Sequence, residues 1–291
     1  MNAALRTASL FGVLFGLFAL IGLAIGGGSI MTMVIFLALA GVMNLISYFY
    51  SDRIVLASYR AKLINEQENP RLFAIVARVA SDYDVPIPKI AVVPMDVPNA
   101  FATGRNRNKA VVCVTRGILG YLDDEELEGV IAHEMAHIKD RDTLVMTLAA
   151  TIAGAIAIFV RMAYFNLMFG GRRDRNDASA ILVVIAAVTA PIAAAMVQMA
   201  ISRTREFKAD REGAITTRKP WALASALKKL ELSNRRGQMK NGNPVSASLF
   251  IVNPFRGSAL IKLFSTHPPM EERIEKLNGL SEAMGGPLVY L

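Results

Sequence analysis

The stretch 129-GVIAHEMAHIKDRDTL-144 decides how the rest of the chain is read. It carries two of the three histidines among 291 residues, His133 and His137, four apart, with Glu134 beside the first. Just upstream, Asp123 is followed three residues on by Glu126, the pattern of a capping box, so "YLDDEELEGVIAHEMAH" opens a helix. Residues four apart on a helix share a face, and both imidazoles therefore address one point. Glu134 is turned by about 100° from His133. That keeps its carboxylate off the shared point but within reach of a water held there. Neutral imidazole is a good zinc ligand, and catalytic zinc takes three protein ligands plus water. His-Glu-x-x-His is thus a compact water-activating device with Glu134 as proton acceptor. The competing reading is a chance pair of surface histidines. The rarity of histidine in this chain and the cap ahead of the pair argue against it.

A third ligand has to come from elsewhere, and chemistry alone leaves Asp140, Glu206, Asp210, Glu212 and His267 open. Asp140 would crowd the site from the same helix; with the rest of "KDRD" it marks a boundary between water and lipid. An apolar run over 143–160 follows at once, and a second covers 178–201. Two crossings return the chain to the side it left. There "SRTREFKADREGA" reads as a helix with Glu206 and Asp210 one turn apart. One of these can bind a metal while the other orients a ligand histidine through its ring N–H.

Hydrophobic residues make up 53% of the chain and mean hydropathy is +0.39, concentrated in four segments, the other two being 8–28 and 30–50. Each approaches the ~20 residues that a spanning helix needs. Arg6 precedes the first, only "GGGS" separates the first two, and Asp52 and Arg53 close the second, so both ends of this hairpin face the cytoplasm. The first segment lacks a small-x-small site followed by polar sequence and reads as a retained anchor. The loop after 160 holds Arg161, Arg172, Arg173 and Arg175, and would lie outside if both later segments cross, against the positive-inside bias. A buried or partly inserted pair is the second reading there. The organisation expected is a transmembrane hairpin over 1–50, a first catalytic part over 51–142, a second apolar hairpin over 143–201 and a second catalytic part over 202–291.

Lys and Arg number 32 against 24 Asp and Glu, a net charge of +8 that suits a face near anionic lipid. No aromatic-interleaved basic patch points to nucleic acid. The lone Cys113 in "AVVCVT" cannot form an internal disulfide and fits a reducing compartment, buried in a strand rather than acting as a nucleophile. In the soluble parts, "NPRLFAIVARVASDYDVP" reads as a helix with Leu72, Ile75, Val76 and Val79 in one stripe. "KIAVVPM" and "KAVVCVT" read as strands with "VPNAFATGRNRN" turning between them. "KPWALASALKKLEL" starts a helix at Pro220, "SNRRGQMKNGNPVSAS" is a loop, and "HPPMEERIEKL" opens the last helix.

"VIAHEMAHIKDRD", "SRTREFKADREG", "STHPPMEERI" and "PNAFATG" together resemble the HtpX-type membrane zinc metalloproteases, relatives of the CAAX prenyl endopeptidases, over essentially the whole chain. The resemblance implies a mainly α, membrane-anchored gluzincin-type fold with a small β-sheet and about four transmembrane helices. It implies one zinc ion per chain on His133, His137 and Glu206, with Asp210 behind them. It also implies cleavage of misfolded membrane-protein or unfolded polypeptide substrates at the bilayer, in a bacterial cytoplasmic (inner) membrane with the site facing the cytoplasm. His267 is expected as a donor near the substrate carbonyl; a fourth ligand that would close the site, or a cap before Pro268, are its other readings. Arg273 is expected to brace a carboxylate of the site, a surface ion pair being the alternative. Asn99, Ala100, Phe101, Ala102 and Thr103 are expected to offer a strand edge to an extended peptide, against an ordinary turn. Two other functions are weighed: an endopeptidase for prenylated C-termini, which needs a large intramembrane chamber, and a noncatalytic zinc-bearing scaffold, which has no use for Glu134.

Overall fold

The computed structural model describes residues 3–25, 28–153, 203–236, 249–252 and 268–290. Helix α1 (Ala3–Ile25) and helix α2 (Ile30–Ser58) form an apolar hairpin. Both are long and apolar enough to cross a membrane, over Ala4–Leu23 and Ile30–Ser58. Leu20, Ile30, Met31 and Ile35 are 59–71% exposed, and apolar surface on that scale calls for lipid or another covering. α2 does not stop near Tyr50 as the sequence suggests, and Asp52 and Arg53 lie within it. At 1.5 Å per residue a helix of this length is longer than the ~30 Å hydrocarbon core of a bilayer. The C-terminal end buries Val55 and the following Tyr59 against the protein.

A four-stranded sheet comes next, in the order β1 (Lys62–Ile64), β2 (Lys89–Val93), β4 (Val111–Thr115), β3 (Ala100–Thr103). β2 and β4 run parallel; the outer pairs are antiparallel. The segment expected to turn between β2 and β4 therefore holds a strand of its own, which becomes the sheet edge. Gly104 makes the return from β3 at φ +128; a Cβ there would sit 2.5 Å from the Lys109 carbonyl oxygen. Side chains alternate across the sheet, as strand geometry requires. Ile90, Ala100, Ala102, Val112 and Val114 face the soluble helices. Ala91, Val93, Phe101 and Cys113 face Leu10, Leu14 and Val55 of the apolar hairpin. One sheet thus joins the apolar hairpin to the helices packed on its other face.

Helix α3 (Pro70–Asp82) begins at Pro70 with the Asn69 side chain accepting from the Leu72 N–H, and it buries the expected stripe. Helix α4 (Arg116–Tyr121) is short, and helix α5 (Asp124–Lys139) opens on the capping box of Asp123 and Glu126. All residues of α5 from 126 to 138 are buried, so the helix is enclosed on every side. Glycines permit that enclosure. A Cβ on Gly129 would lie 3.0 Å from the Leu223 nitrogen, and one on Gly213 would lie 3.1 Å from the His133 nitrogen. The enclosing elements are helix α7 (Arg203–Thr217), helix α8 (Pro220–Arg236) and helix α9 (Met270–Ala283). Residues 233–236, expected in a loop, continue α8.

Helix α5 does not run on into the third apolar segment. Asp140 caps it, Arg141 takes φ +60, and a new helix α6 (Asp142–Ala153) begins. α6 buries Val145, Leu148, Ala149 and Ile152 inside the protein. The remainder of the third apolar segment, the fourth, the arginines between them, residues 237–248 and His267 lie outside the described residues.

Candidate metal centre

α5 presents His133 and His137 on one face, with ring centroids 4.9 Å apart. α7 delivers Glu206 between them, Oε2 lying 3.7 Å from His133 Nε2 and Oε1 3.5 Å from His137 Nε2. The three residues are buried and their ligand atoms all fall within 4.8 Å of one another. A tetrahedral ion bound at about 2.0–2.2 Å separates its ligands by roughly 3.4 Å, so these donors fit one metal ion. The other candidates for third ligand have different partners. Asp140 pairs with Lys208 at the end of α5, and Glu212 lies 3.3 Å from Lys208 and 3.7 Å from Lys139.

Behind each histidine stands a carboxylate. His133 Nδ1 lies 2.8 Å from Asp210 Oδ1. Asp210 is gripped by Arg273, whose Nε and Nη2 donate to its two oxygens at 2.8 and 2.7 Å. Burial would push the Asp210 carboxyl up, but the Arg273 charge and hydrogen bonds, with His133, bring it down to about 2. Arg273 is fully buried, so it braces the site rather than forming a surface pair. His137 Nδ1 lies 3.4 Å from Asp142 Oδ2, and Arg205 sits against the other Asp142 oxygen. Asp142 is the residue that sequence reasoning missed. "KDRD" reads there as a water–lipid boundary, whereas Asp142 is only 2% exposed and faces the site. The signal is the break at Arg141, which lets a residue five positions past His137 turn back to it. Burial lowers the His133 pKa despite Asp210, favouring the neutral ring that a metal needs.

Glu134 is 3% exposed. Burial raises its pKa to about 7, reinforced by the Glu206 charge and opposed by His137, by the Ala102 N–H that donates to it, and by Arg273. A carboxylate that takes up and releases a proton near neutrality is suited to general-base work. Ala102 belongs to the edge strand. Asn99 precedes that strand and pairs with β4 through its carbonyl, which accepts from the Thr115 N–H. By alternation, Ala100 and Ala102 direct their main-chain groups away from β4, toward the site. The side chains of Asn99, Phe101 and Thr103 are buried; Thr103 Oγ1 lies 3.0 Å from Thr147 Oγ1 of α6. The thiol of Cys113 is buried in β4, as expected, and burial followed by the Glu134 charge holds its pKa well above the usual thiol range.

Two histidines one turn apart, a glutamate from a second helix, oriented carboxylates and an unliganded buried glutamate define the centre of a metallopeptidase, here on a membrane-embedded scaffold. The profile of Peptidase family M48 matches residues 66–281. "Protease HtpX homolog" of Thermococcus sibiricus is 52% identical over 285 residues, 97% of each chain. That of Pyrococcus furiosus is 50% identical over 281 residues, 96% of each chain. Among solved structures, S. mikatae Ste24p aligns with a TM-score of 0.49 at 17% identity, over 92% of this chain and 62% of that one. The chain belongs to peptidase family M48. It is a membrane metalloendopeptidase.

Proposed function

We propose that this chain is a zinc-dependent, gluzincin-type endopeptidase of the cytoplasmic membrane that cleaves misfolded or damaged membrane proteins on the cytoplasmic side. The observation that carries the reading is the buried cluster of His133, His137 and Glu206 with Glu134 beside it and on none of its own ligand positions. A structural metal site would close its fourth position and would not keep a carboxylate whose pKa is about 7. Two histidines and a carboxylate suit zinc among the common divalent ions.

When bound, zinc acidifies a coordinated water and polarises the scissile carbonyl. Glu134 accepts the proton from water and returns it to the leaving amine. Asp210 and Asp142 hold His133 and His137 in the tautomer that presents Nε2 to the metal. Arg273 fixes Asp210 and keeps a positive charge close to the reacting atoms. His267 donates to the carbonyl oxygen as negative charge develops there. The out-facing main chain of residues 99–103 pairs with an extended substrate, whose side chains it does not read, and that suits broad quality control. Two catalytic parts, 51–142 and 202–291, build this single site. The apolar hairpin over 143–201, spanning or partly inserted, follows the transmembrane hairpin over 1–50 and returns Glu206 to the histidines.

The test uses full-length protein reconstituted in liposomes with unfolded casein and a destabilised membrane protein as substrates. Cleavage is expected to stop with a chelator, to return on adding zinc, and to fall at least a hundredfold in Glu134→Gln. Equal cleavage by Glu134→Gln would refute the mechanism.

A further inference from the structure

A cavity of about 710 Å³ opens where the apolar hairpin meets the rest of the protein. It lies between Thr7 and Phe11 of α1, Tyr48 of α2, the loop 105–108 that joins β3 to β4, and the break between α5 and α6. Three guanidinium groups line it, those of Arg105, Arg107 and Arg141, and no aspartate or glutamate does. The acids on either side of Arg141 are engaged elsewhere, Asp140 with Lys208 and Asp142 with Arg205. Arg107 is partly committed, its Nε and Nη2 donating to the Lys139 carbonyl at 2.9 and 2.5 Å, which leaves Nη1. Arg105 lies 5.5 Å from the centre of the Phe49 ring, a contact that uses none of its N–H donors. The Arg105 and Arg141 side chains make no hydrogen bond or ion pair among the described residues. Three like charges around one cavity, without a carboxylate among them, leave a positive potential there.

The surroundings say which anion fits. Ala4, Ala8, Phe11 and Phe15 follow one another at helical spacing along one face of α1, and Phe15 is 37% exposed. Opposite Phe15, α2 has Gly41, where an added Cβ would stand 3.9 Å from the ring, and one turn on comes Leu45, 60% exposed. An apolar track therefore leads out of the cavity along the hairpin. At the level of the cavity α2 carries Tyr48, Phe49 and Tyr50, with Arg53 lying 5.5 Å from the centre of the Tyr50 ring. Aromatic rings beside arginines are the composition of a helix end at a membrane surface. A soluble phosphate would use the cationic part of this site alone. A lipid uses both parts.

We propose that this cavity binds the phosphate headgroup of an anionic membrane lipid, whose acyl chains lie along Phe11, Phe15 and Leu45. The phosphate oxygens accept from the forks of Arg105 and Arg141 and from Nη1 of Arg107, the geometry that guanidinium offers to phosphate. The proposal rests on the reading of α1 and α2 as an inserted hairpin and is independent of the peptidase reading. A headgroup in this place touches three elements at once: the hairpin, the β3–β4 loop, and the break that follows the histidine-bearing helix. A ligand that bridges them in the folded state and has no site in the unfolded chain raises stability by mass action.

The test titrates the full-length zinc-loaded protein in detergent with dioctanoyl phosphatidylglycerol, dioctanoyl phosphatidylcholine or glycerol 1-phosphate, and counts bound ligand by native mass spectrometry. Phosphatidylglycerol is expected to occupy one site at least tenfold more tightly than phosphatidylcholine and to raise the melting temperature. Arg105→Gln combined with Arg141→Gln removes two charges from the cavity and is expected to weaken phosphatidylglycerol about ten- to thirtyfold. Arg211→Gln combined with Arg218→Gln removes the same charge from exposed positions of α7 that do not line the cavity, and is expected to bind like the parent. Equal affinity for the two lipids overturns the proposal. So does an equal loss in both double variants, which would make the attraction a diffuse effect of net charge. Glycerol 1-phosphate that displaces phosphatidylglycerol at equal concentration would give the cavity to a soluble phosphate and overturn the lipid assignment. If the variant with Arg141→Gln does not fold, Arg105→Gln alone and the comparison of the two lipids decide. A protein that binds phosphatidylglycerol in this way but shows no chelator-sensitive cleavage would sink the peptidase reading and leave the lipid site standing.

Discussion

Replacing Arg273 with methionine keeps much of its volume and deletes its charge. The structure sets the size of the effect. Arg273 is 0% exposed and Asp210 3%, so neither charge is relieved by water. The change removes two charge-assisted bonds to Asp210, at 2.8 and 2.7 Å, and one to the Ile251 carbonyl. It leaves a carboxylate buried with His133 as its remaining close partner. Breaking a buried pair from one side costs about 3–5 kcal/mol. For a catalytic body of this size each kcal/mol moves the melting temperature by about 2–4 °C, so the metal-free protein is expected to melt roughly 10 °C lower. Asp210 also orients His133, and disturbing a partner of that kind weakens metal binding about 10- to 100-fold. Differential scanning fluorimetry in detergent reads the first quantity, and competition against a chromophoric chelator reads the second. The double variant with Asp210→Asn removes the stranded charge and is expected to recover part of the lost stability. A methionine variant with parental melting temperature and metal affinity refutes the claim that Arg273 braces the centre. A double variant no more stable than Arg273→Met refutes the stranded-charge account of the cost.

Two further substitutions probe the parts around the histidines. Asp142→Asn keeps the shape and removes the charge behind His137, so metal affinity is expected to fall about tenfold, while an unchanged chelator titration would return Asp142 to a purely structural role. Gly213→Ala places a Cβ 3.1 Å from the His133 nitrogen, forcing α7 and α5 apart by a few tenths of an ångström. It is expected to cost about 1–3 kcal/mol in the metal-free protein and to weaken metal binding, since Glu206 moves with α7; parental values in both would show that the helices have slack there.

What the sequence revealed and what it withheld differ in range. The α5 cap, the histidine face and the α3 stripe are local patterns, set by residues within one or two helical turns, and all three are present. The partners of the histidines are separated by tens of residues; spacing after the second apolar run brings Glu206 and Asp210 forward as a pair one turn apart, and only the family resemblance says which of the two is the ligand. Strand β3 was harder to see as a strand beside β4. Its neighbours turn, its residues are small, and an edge position has no pattern beyond the first partner it finds. β1, only three residues long and mostly exposed, carries no apolar alternation at all. Asp142 escapes a reading of the sequence because nothing local to it, neither glycine nor proline, ends α5 before the apolar run. The break depends on Arg141 at φ +60, a conformation that non-glycine residues adopt only when the surroundings hold them there.

That break decides where the chemistry sits. A helix continuing from His137 would carry the chain about 9 Å to Thr143 at 1.5 Å per residue, away from the histidines. Instead the chain folds back at Arg141, and α6 starts inside the protein with Asp142 against His137. α6 then packs on the sheet face that also receives Leu10, Leu14 and Val55. The same sheet presents Ala102 to Glu134 at its edge. The anchor, the edge strand and the second histidine are therefore parts of one packed unit. Displacing α6 is mechanically a displacement of the carboxylate that faces His137, because Asp142 is the first residue of α6.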